Sequence, residues 1–210
     1  DQYKATRPKT PEDLHAQIPM ISEVLKALKV PVLQCDGYEA DDIIASVAKK
    51  CQESKRECRI LSGDKDLMQL VDDTTLILKP EPGAQTWKLT NSQGVFAEWG
   101  VQPPQLLDLL SLYGDSADNI PGVRGIGVKT ASKLLTDYEN LEGIYEHIED
   151  LKGAVKTKLE EGKENAFFSR KLVKLCDQVP CKEIDEALLS KTSFDYSAAS
   201  KALFSYGLPS

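Results

Sequence analysis

Between residues 31 and 90 the chain alternates short apolar runs with amphipathic stretches of helical period. Residues 31–35 (PVLQC) and 58–62 (CRILS) are apolar runs of strand length, and 40–54 places Ile43, Ile44, Val47 and Ala48 on one helical face. A short helix is predicted at 66–71, and two strands at 75–79 and 86–90 flank the turn at 80–83. Ahead of these, 10–30 reads as a helix with Thr10 as cap and acids in its first turn; Pro19 inside it should kink or split it. Strand alternating with helix argues for a parallel α/β sheet. After residue 90 only helical periods remain, at 91–99, 103–112, 128–137, 140–149, 154–160, 163–177 and 195–206. The expected organisation is an α/β part over 1–112 followed by an all-helical part over 113–210.

Composition narrows this picture only a little. An apolar content of 41% in 210 residues supports a sizeable core, and no apolar run reaches membrane-spanning length. The formal charge of −7 argues weakly against nucleic acid, because the distribution of charge matters more than its sum. Five cysteines without a CxxC pair fit no zinc pattern and read as reduced, packed thiols of a cytosolic protein. His15 and His147 fall in polar helical surroundings and read as surface residues. Residue 1 is Asp rather than Met, and no targeting segment is visible.

The placement of acids carries more information. Gly37-Tyr38-Glu39-Ala40-Asp41-Asp42 follows the run 31–35, and Gly63-Asp64-Lys65-Asp66 follows the run 58–62. In open α/β sheets, sites gather beyond the carboxyl ends of strands, so both knots are expected at one sheet edge. Glu39, Asp41, Asp64 and Asp66 would then converge, repel one another and resist ionising. A hard divalent cation with oxygen ligands resolves that conflict. A third knot, Asp115 and Asp118, stands at the junction with the helical part and leaves room for a second ion. Two ions about 3.5–4 Å apart suit in-line phosphodiester hydrolysis. Taken singly, each knot reads as a helix cap or a solvated turn; together, two of them at predicted strand ends, they point to a metal centre.

Downstream of the third knot lies 121-PGVRGIGVKTASKLL-135. It fails the P-loop pattern, since Val128 precedes Lys129 and Thr130, and the order of Gly122, Gly125 and Gly127 fails the dinucleotide pattern. A helix–turn–helix that grips a nucleic-acid backbone fits better. Glycines permit close approach, a helix start near Val128 offers backbone N–H groups, and Arg124, Lys129 and Lys133 add positive charge. Between 152 and 174, seven Lys or Arg stand against three Glu, which reads either as a second basic surface or as a solvated helix face.

These motifs, in this order and spacing, resemble the 5′-nuclease domains of bacterial DNA polymerase I, within the flap-endonuclease-like (PIN-like) superfamily. The residues that carry the resemblance are the three acidic knots, Asn119-Ile120-Pro121-Gly122-Val123 and Gly125-Ile126-Gly127-Val128-Lys129-Thr130-Ala131. It runs from 3-YKATR-7 to 203-LFSYGL-208. The resemblance implies a Mg²⁺- or Mn²⁺-dependent 5′-3′ exonuclease and flap endonuclease with two ions. Its implied partner is branched or nicked duplex DNA with a 5′ flap, RNA primers included, in replication and repair. It implies a cytoplasmic monomer without a membrane, in a family that often carries a polymerase module after this position. By motif match, Glu39, Asp41, Asp64 and Asp66 would surround the first ion, and Asp115 and Asp118 would serve the second, with Asp42 nearby. The segment 119–136 would be a helix-three-turn-helix, binding K⁺ through the carbonyls of Val123 and Ile126 and DNA through Gly122, Arg124, Gly125, Gly127, Lys129, Thr130 and Lys133. Lys4 and Arg7 match basic residues at the base of the arch through which a 5′ end passes. The family's first strand, two further aspartates and most of the arch would fall upstream of residue 1.

Two other functions compete with cleavage. A module that binds branched DNA without cutting it would need no Mg²⁺ and would weaken steeply with salt. A nucleotide-binding α/β protein would be stabilised by ATP or NAD, and the failed glycine patterns speak against it.

Overall fold

The computed structural model describes residues 3–5, 9–81, 83, 86–181, 184 and 193–208. Helices are α1 (Glu12–Ala27), α2 (Ala40–Glu53), α3 (Ser92–Trp99), α4 (Leu106–Tyr113), α5 (Val128–Tyr138), α6 (Leu141–Glu146), α7 (Gly153–Val173) and α8 (Tyr196–Ser205). Strands are β1 (Cys58–Leu61), β2 (Thr75–Pro80) and β3 (Trp87–Thr90), with short 3₁₀ turns at Asp66–Leu70, Pro103–Gln105 and Ile148–Asp150. The chain divides into two compact units, one of residues 1–7 and 51–176, the other of 8–50 and 177–210.

In the first unit β1 pairs parallel to β2, Cys58 opposite Thr75 and Leu61 opposite Leu78. β2 pairs antiparallel to β3, Ile77 opposite Thr90. The sheet is therefore mixed rather than wholly parallel: the turn between 80 and 87 is too short for the crossover that a parallel pair requires. Alternation of side chains buries Ile60 and Ile77 on one face. Leu67 and Met68 of the 3₁₀ turn join that core, and Trp99 Nε1 donates to Met68 Sδ at 3.3 Å.

Helix ends follow local chemistry. Asn91 caps α3 by accepting from Gly94 N–H at 3.0 Å, and Asn140 caps α6 by accepting from Gly143 N–H at 2.8 Å. The two helical periods expected at 154–160 and 163–177 are a single helix, α7, because nothing between them breaks the ladder. A buried acid joins α4 to α7. Asp108 is 4% exposed; its Oδ2 accepts from Leu141 N–H at 3.0 Å, while Arg170 Nε stands 3.0 Å from Oδ1 in a charge contact. Burial raises its carboxyl pKa, against the pull of the Leu141 amide and Arg170.

In the second unit Asp195 caps α8 through Ala198 N–H at 3.0 Å and pairs with Lys29 at 3.8 Å, while its own N–H donates to Leu28 O at 3.2 Å. Those contacts draw α8 onto the end of α1. Pro19 does not split α1, which runs unbroken through it. Residues 31–35, expected as a strand, form no strand and have no strand partner among the described residues. Apolar character alone does not make a strand; a hydrogen-bonded neighbour does.

Candidate metal centre and nucleic-acid turn

β1 delivers the second acidic knot. Ser62 N–H still bonds Leu78 O at 3.0 Å, after which the chain leaves the sheet. Ser62 Oγ accepts from Asp64 N–H at 3.0 Å, and Asp64 Oδ1 accepts from Asp66 N–H at 3.0 Å. These two local bonds turn the chain into the 3₁₀ turn that starts at Asp66. Gln69 Nε2 then ties that turn down, donating to Asp66 O at 2.8 Å and to Val173 O at 3.3 Å.

A loop closed on itself delivers the third knot. Asp115 N–H donates to Ile120 O at 2.9 Å and Ile120 N–H to Asp115 O at 2.7 Å. Gly114 (φ 77°) and Gly122 (φ 57°) pass so close that a Cβ on Gly122 would stand 2.5 Å from Gly114 N. Asn119, at φ 57°, is a residue type that tolerates the left-handed region. Asp115 Oδ1 accepts from Ala117 N–H at 2.9 Å. Asp118 is 7% exposed, and its carbonyl accepts from Lys4 N–H at 3.0 Å, which fixes Lys4 beside this knot. The Lys4 ammonium lies 4.8 Å from the centre of the Tyr3 ring.

Lys65 joins the two knots. Its ammonium donates to Asp115 Oδ2 and stands 3.8 Å from Asp66 Oδ1. Burial, the largest influence, pushes the Asp66 carboxyl up to about 6; Lys65 pulls it down, and Asp64, Asp115 and Asp118 push it up. Burial acts the same way on Asp115, but there the Lys65 bond and the Ala117 amide outweigh it and hold the carboxyl below its ordinary range. Lys65 is pulled towards neutrality by burial and held charged, above its ordinary pKa, by Asp115, Asp66 and Asp64. Asp64, Asp66, Asp115 and Asp118 thus share one electrostatic environment in the first unit.

Asp66 carries a pH prediction. Its folded pKa lies above the ordinary 3.8, so the folded state binds its proton more tightly than the unfolded state does. Below pH 4 both states are protonated and nothing is lost; stability falls as pH rises from 4 to 6 and stays lower above that. Asp66→Asn removes this penalty. In EDTA at pH 7.5 the variant should be about 2 kcal/mol more stable, a melting temperature about 4–8 °C higher, with the difference gone at pH 4. Paired thermal melts at the two pH values check it.

Glu39, Asp41 and Asp42 belong to the second unit, at the start of α2. Asp42 Oδ2 accepts from Glu39 N–H at 3.2 Å, so Asp42 satisfies a backbone donor at the start of the helix. The expectation that this knot leaves the end of a strand is not met, since 31–35 is not one. Arg7 lies outside the described residues. Among the described residues no group of three or more His, Cys, Asp or Glu is arranged to hold a metal ion. The donor chemistry in the first unit nevertheless fits a hard cation. The donors are carboxylate oxygens, and the Lys65 ammonium already stands in as a cation shared by two of them.

The turn at 122–127 is backed by α7. Ser169 Oγ accepts from Gly122 N–H at 3.0 Å, Gly162 leaves room for the Val123 side chain, and Lys158 Nζ donates to Gly125 O at 3.1 Å. Val123 and Ile126 are buried, and the Val123 carbonyl accepts from Ile126 N–H at 3.0 Å. Arg124, Gly125, Gly127, Lys129 and Lys133 are exposed, Thr130 half-buried, and α5 starts at Val128 without a side-chain cap. Gly122 is buried against Gly114, so it closes the loop and offers no surface to a ligand. Within the basic tract, Lys156 pairs with Glu149, Arg170 with Glu142 and Asp108, Lys158 with the turn, and Lys163 lies over the Tyr145 ring. Much of that tract is internal bracing. The sequence signal that would have marked it is the i, i+4, i+11 spacing of Lys158, Gly162 and Ser169, whose contacts lie on the turn.

A mixed sheet that leads into helices, with acids at the sheet edge and a glycine turn behind them, is the architecture of a resolvase-like nuclease domain followed by a helical SAM fold. Residues 1–100 match the family model "5'-3' exonuclease, N-terminal resolvase-like domain", and residues 101–195 match "5'-3' exonuclease, C-terminal SAM fold". The chain belongs to the 5′-3′ exonuclease family, in the form found in bacterial DNA polymerase I. DNA polymerase I of Treponema pallidum is 51% identical over 179 residues, which is 85% of this chain and 18% of that protein. The thermostable DNA polymerase I of Thermus aquaticus is 40% identical over 185 residues, 88% of this chain and 22% of that protein. The chain thus spans about a fifth of the length of these relatives. Among solved structures, bacteriophage T5 D15 flap endonuclease in a pseudo-enzyme-product complex with DNA and metal ions shares the fold. Its TM-score is 0.68 at 21% identity, covering 96% of this chain and 71% of that one. The catalytic core of Rad2 in complex with DNA substrate does so at a TM-score of 0.59 and 15% identity, covering 96% and 67%.

No helix among the described residues is long and apolar enough to cross a membrane.

Proposed function

We propose that this chain is the nuclease part of a DNA polymerase I-like protein. It would hydrolyse phosphodiester bonds at the 5′ ends and flaps of branched or nicked duplex DNA with the help of divalent cations. The observation that carries this reading is the gathering of Asp64, Asp115 and Asp118 around Asp66, with Lys65 held between Asp66 and Asp115, beside an exposed basic turn. Asp64, Asp66, Asp115 and Asp118 would hold Mg²⁺ or Mn²⁺, and Glu39 and Asp41 are assigned to the first ion by their motif. When bound, such ions supply an activated water and stabilise the leaving oxygen. The chain's own residues do the rest. The turn at 122–127 and the start of α5 hold a duplex by its phosphates, with Arg124, Lys129 and Lys133 supplying charge and no base contact. The carbonyls of Val123 and Ile126 are the proposed K⁺ ligands. Lys4, tied to Asp118 through its backbone, would meet a phosphate next to the scissile bond, and Arg7 would share that role by motif.

The second reading, branched-DNA binding without cleavage, draws on the lack of a ready-made metal cage among the described residues. A 5′-labelled flap duplex incubated with the chain in Mg²⁺, with an EDTA control, separates the two. Metal-dependent cutting near the branch is the expected result. A gel shift of equal strength with and without Mg²⁺, and no cutting, would favour the binding module.

A further inference from the structure

The residue between the two acids of the second knot is itself a cation. Asp64 Oδ1 accepts from Asp66 N–H, so the chain turns sharply there, and the Lys65 side chain reaches a loop 50 residues further on. Its ammonium bonds Asp115 and stands 3.8 Å from Asp66. The two carboxylates are 13% and 17% exposed, whereas the Lys65 side chain is 30% exposed and has an open path to solvent. A lysine is a compact point charge on a flexible stem, suited to letting go. The same two carboxylates are assigned to metal in the function proposed above.

We propose that Lys65 is a built-in counter-cation, which pairs Asp66 with Asp115 in the metal-free protein and competes with divalent cations for those carboxylates. The inference rests on reading the acidic cluster as a metal centre. It gives Lys65 two effects of opposite sign. Lys65 steadies the cluster against its own repulsion when no metal is present, and it raises the metal concentration at which the centre fills. A lysine that merely positioned Asp115 for metal would have the contrary effect on affinity.

The test is Mn²⁺ binding, read from the electron paramagnetic resonance signal of the free ion and independent of any cleavage. Lys65→Met should bind Mn²⁺ about three- to tenfold more tightly than the parent, the scale of one partly exposed ion pair removed from competition. Its melting temperature in EDTA should be lower than the parent's, and its rise on adding saturating Mn²⁺ larger. Lys65→Gln, which keeps a hydrogen-bond donor but no charge, should tighten binding in the same way, and carries the test if the Met variant does not fold. Lys65→Arg keeps the charge and should bind no more tightly than the parent. Equal or weaker Mn²⁺ binding by the Met and Gln variants overturns the inference while leaving the metal centre standing. No Mn²⁺ binding by the parent overturns both.

Discussion

Asp115→Asn should lower Mg²⁺-dependent cleavage of a flap duplex by about a thousandfold, with the affinity for that duplex changed by less than about threefold. The asymmetry follows from how Asp115 is held. Both backbone groups pair with Ile120, so the loop keeps its shape whatever the side chain is. An asparagine oxygen still accepts from Ala117 N–H, which Oδ1 does now at 2.9 Å. What is lost is the negative charge, and with it the bond to the Lys65 ammonium and a hard ligand for a cation. The exposed cations of the turn, Arg124, Lys129 and Lys133, are untouched, and they are the proposed phosphate contacts. Single-turnover cleavage with and without Mg²⁺, next to fluorescence anisotropy on the same DNA, provides both numbers. Equal loss in both would assign Asp115 to DNA contact or to folding instead.

Gly122→Ala should destabilise the protein by about 3 kcal/mol or more and lower its melting temperature by about 6–12 °C. Two effects add. Gly122 has φ 57°, where an L-residue with a Cβ is strained by about 1 kcal/mol. The new Cβ would also stand 2.5 Å from Gly114 N and 2.7 Å from the Tyr113 carbonyl carbon, backbone atoms that cannot swing aside. The contact lies between the acidic loop and the basic turn, so the variant should lose cleavage and DNA binding together, unlike Asp115→Asn. Gly127→Ala is the control. Its φ of −93° is ordinary and nothing lies within 4 Å of an added Cβ, so its stability should stay within about 0.5 kcal/mol of the parent. Thermal melts and urea titrations of the two variants check the contrast.

Several elements were legible because their signals are local. The period of α2 and the runs that became β1, β2 and β3 are carried by the side chains of consecutive residues, and so are the Asn caps of α3 and α6. The run 31–35 misled, because a strand needs a partner and apolarity alone does not supply one. The parallel expectation for the whole sheet misled at β3, where the short turn forces an antiparallel pair. Asp108, a lone acid in an apolar helix, gives no sign in the sequence of Arg170, 62 positions away. Lys65 stands between two acids in the sequence, which shows those neighbours and not Asp115.

By itself, then, the order of residues determined which carboxylates exist, the spacing of each knot, and the glycines and cations of the turn. Those are properties of contiguous residues, set by backbone stereochemistry and short-range hydrogen bonding. Tertiary structure alone decided that Lys65 bridges Asp66 to Asp115, that Gly122 closes on Gly114 instead of facing a ligand, and that much of the basic tract on α7 braces the molecule. Each of these depends on segments distant in the chain meeting in space. Coulomb attraction and steric exclusion act through distance in space, which the sequence does not record.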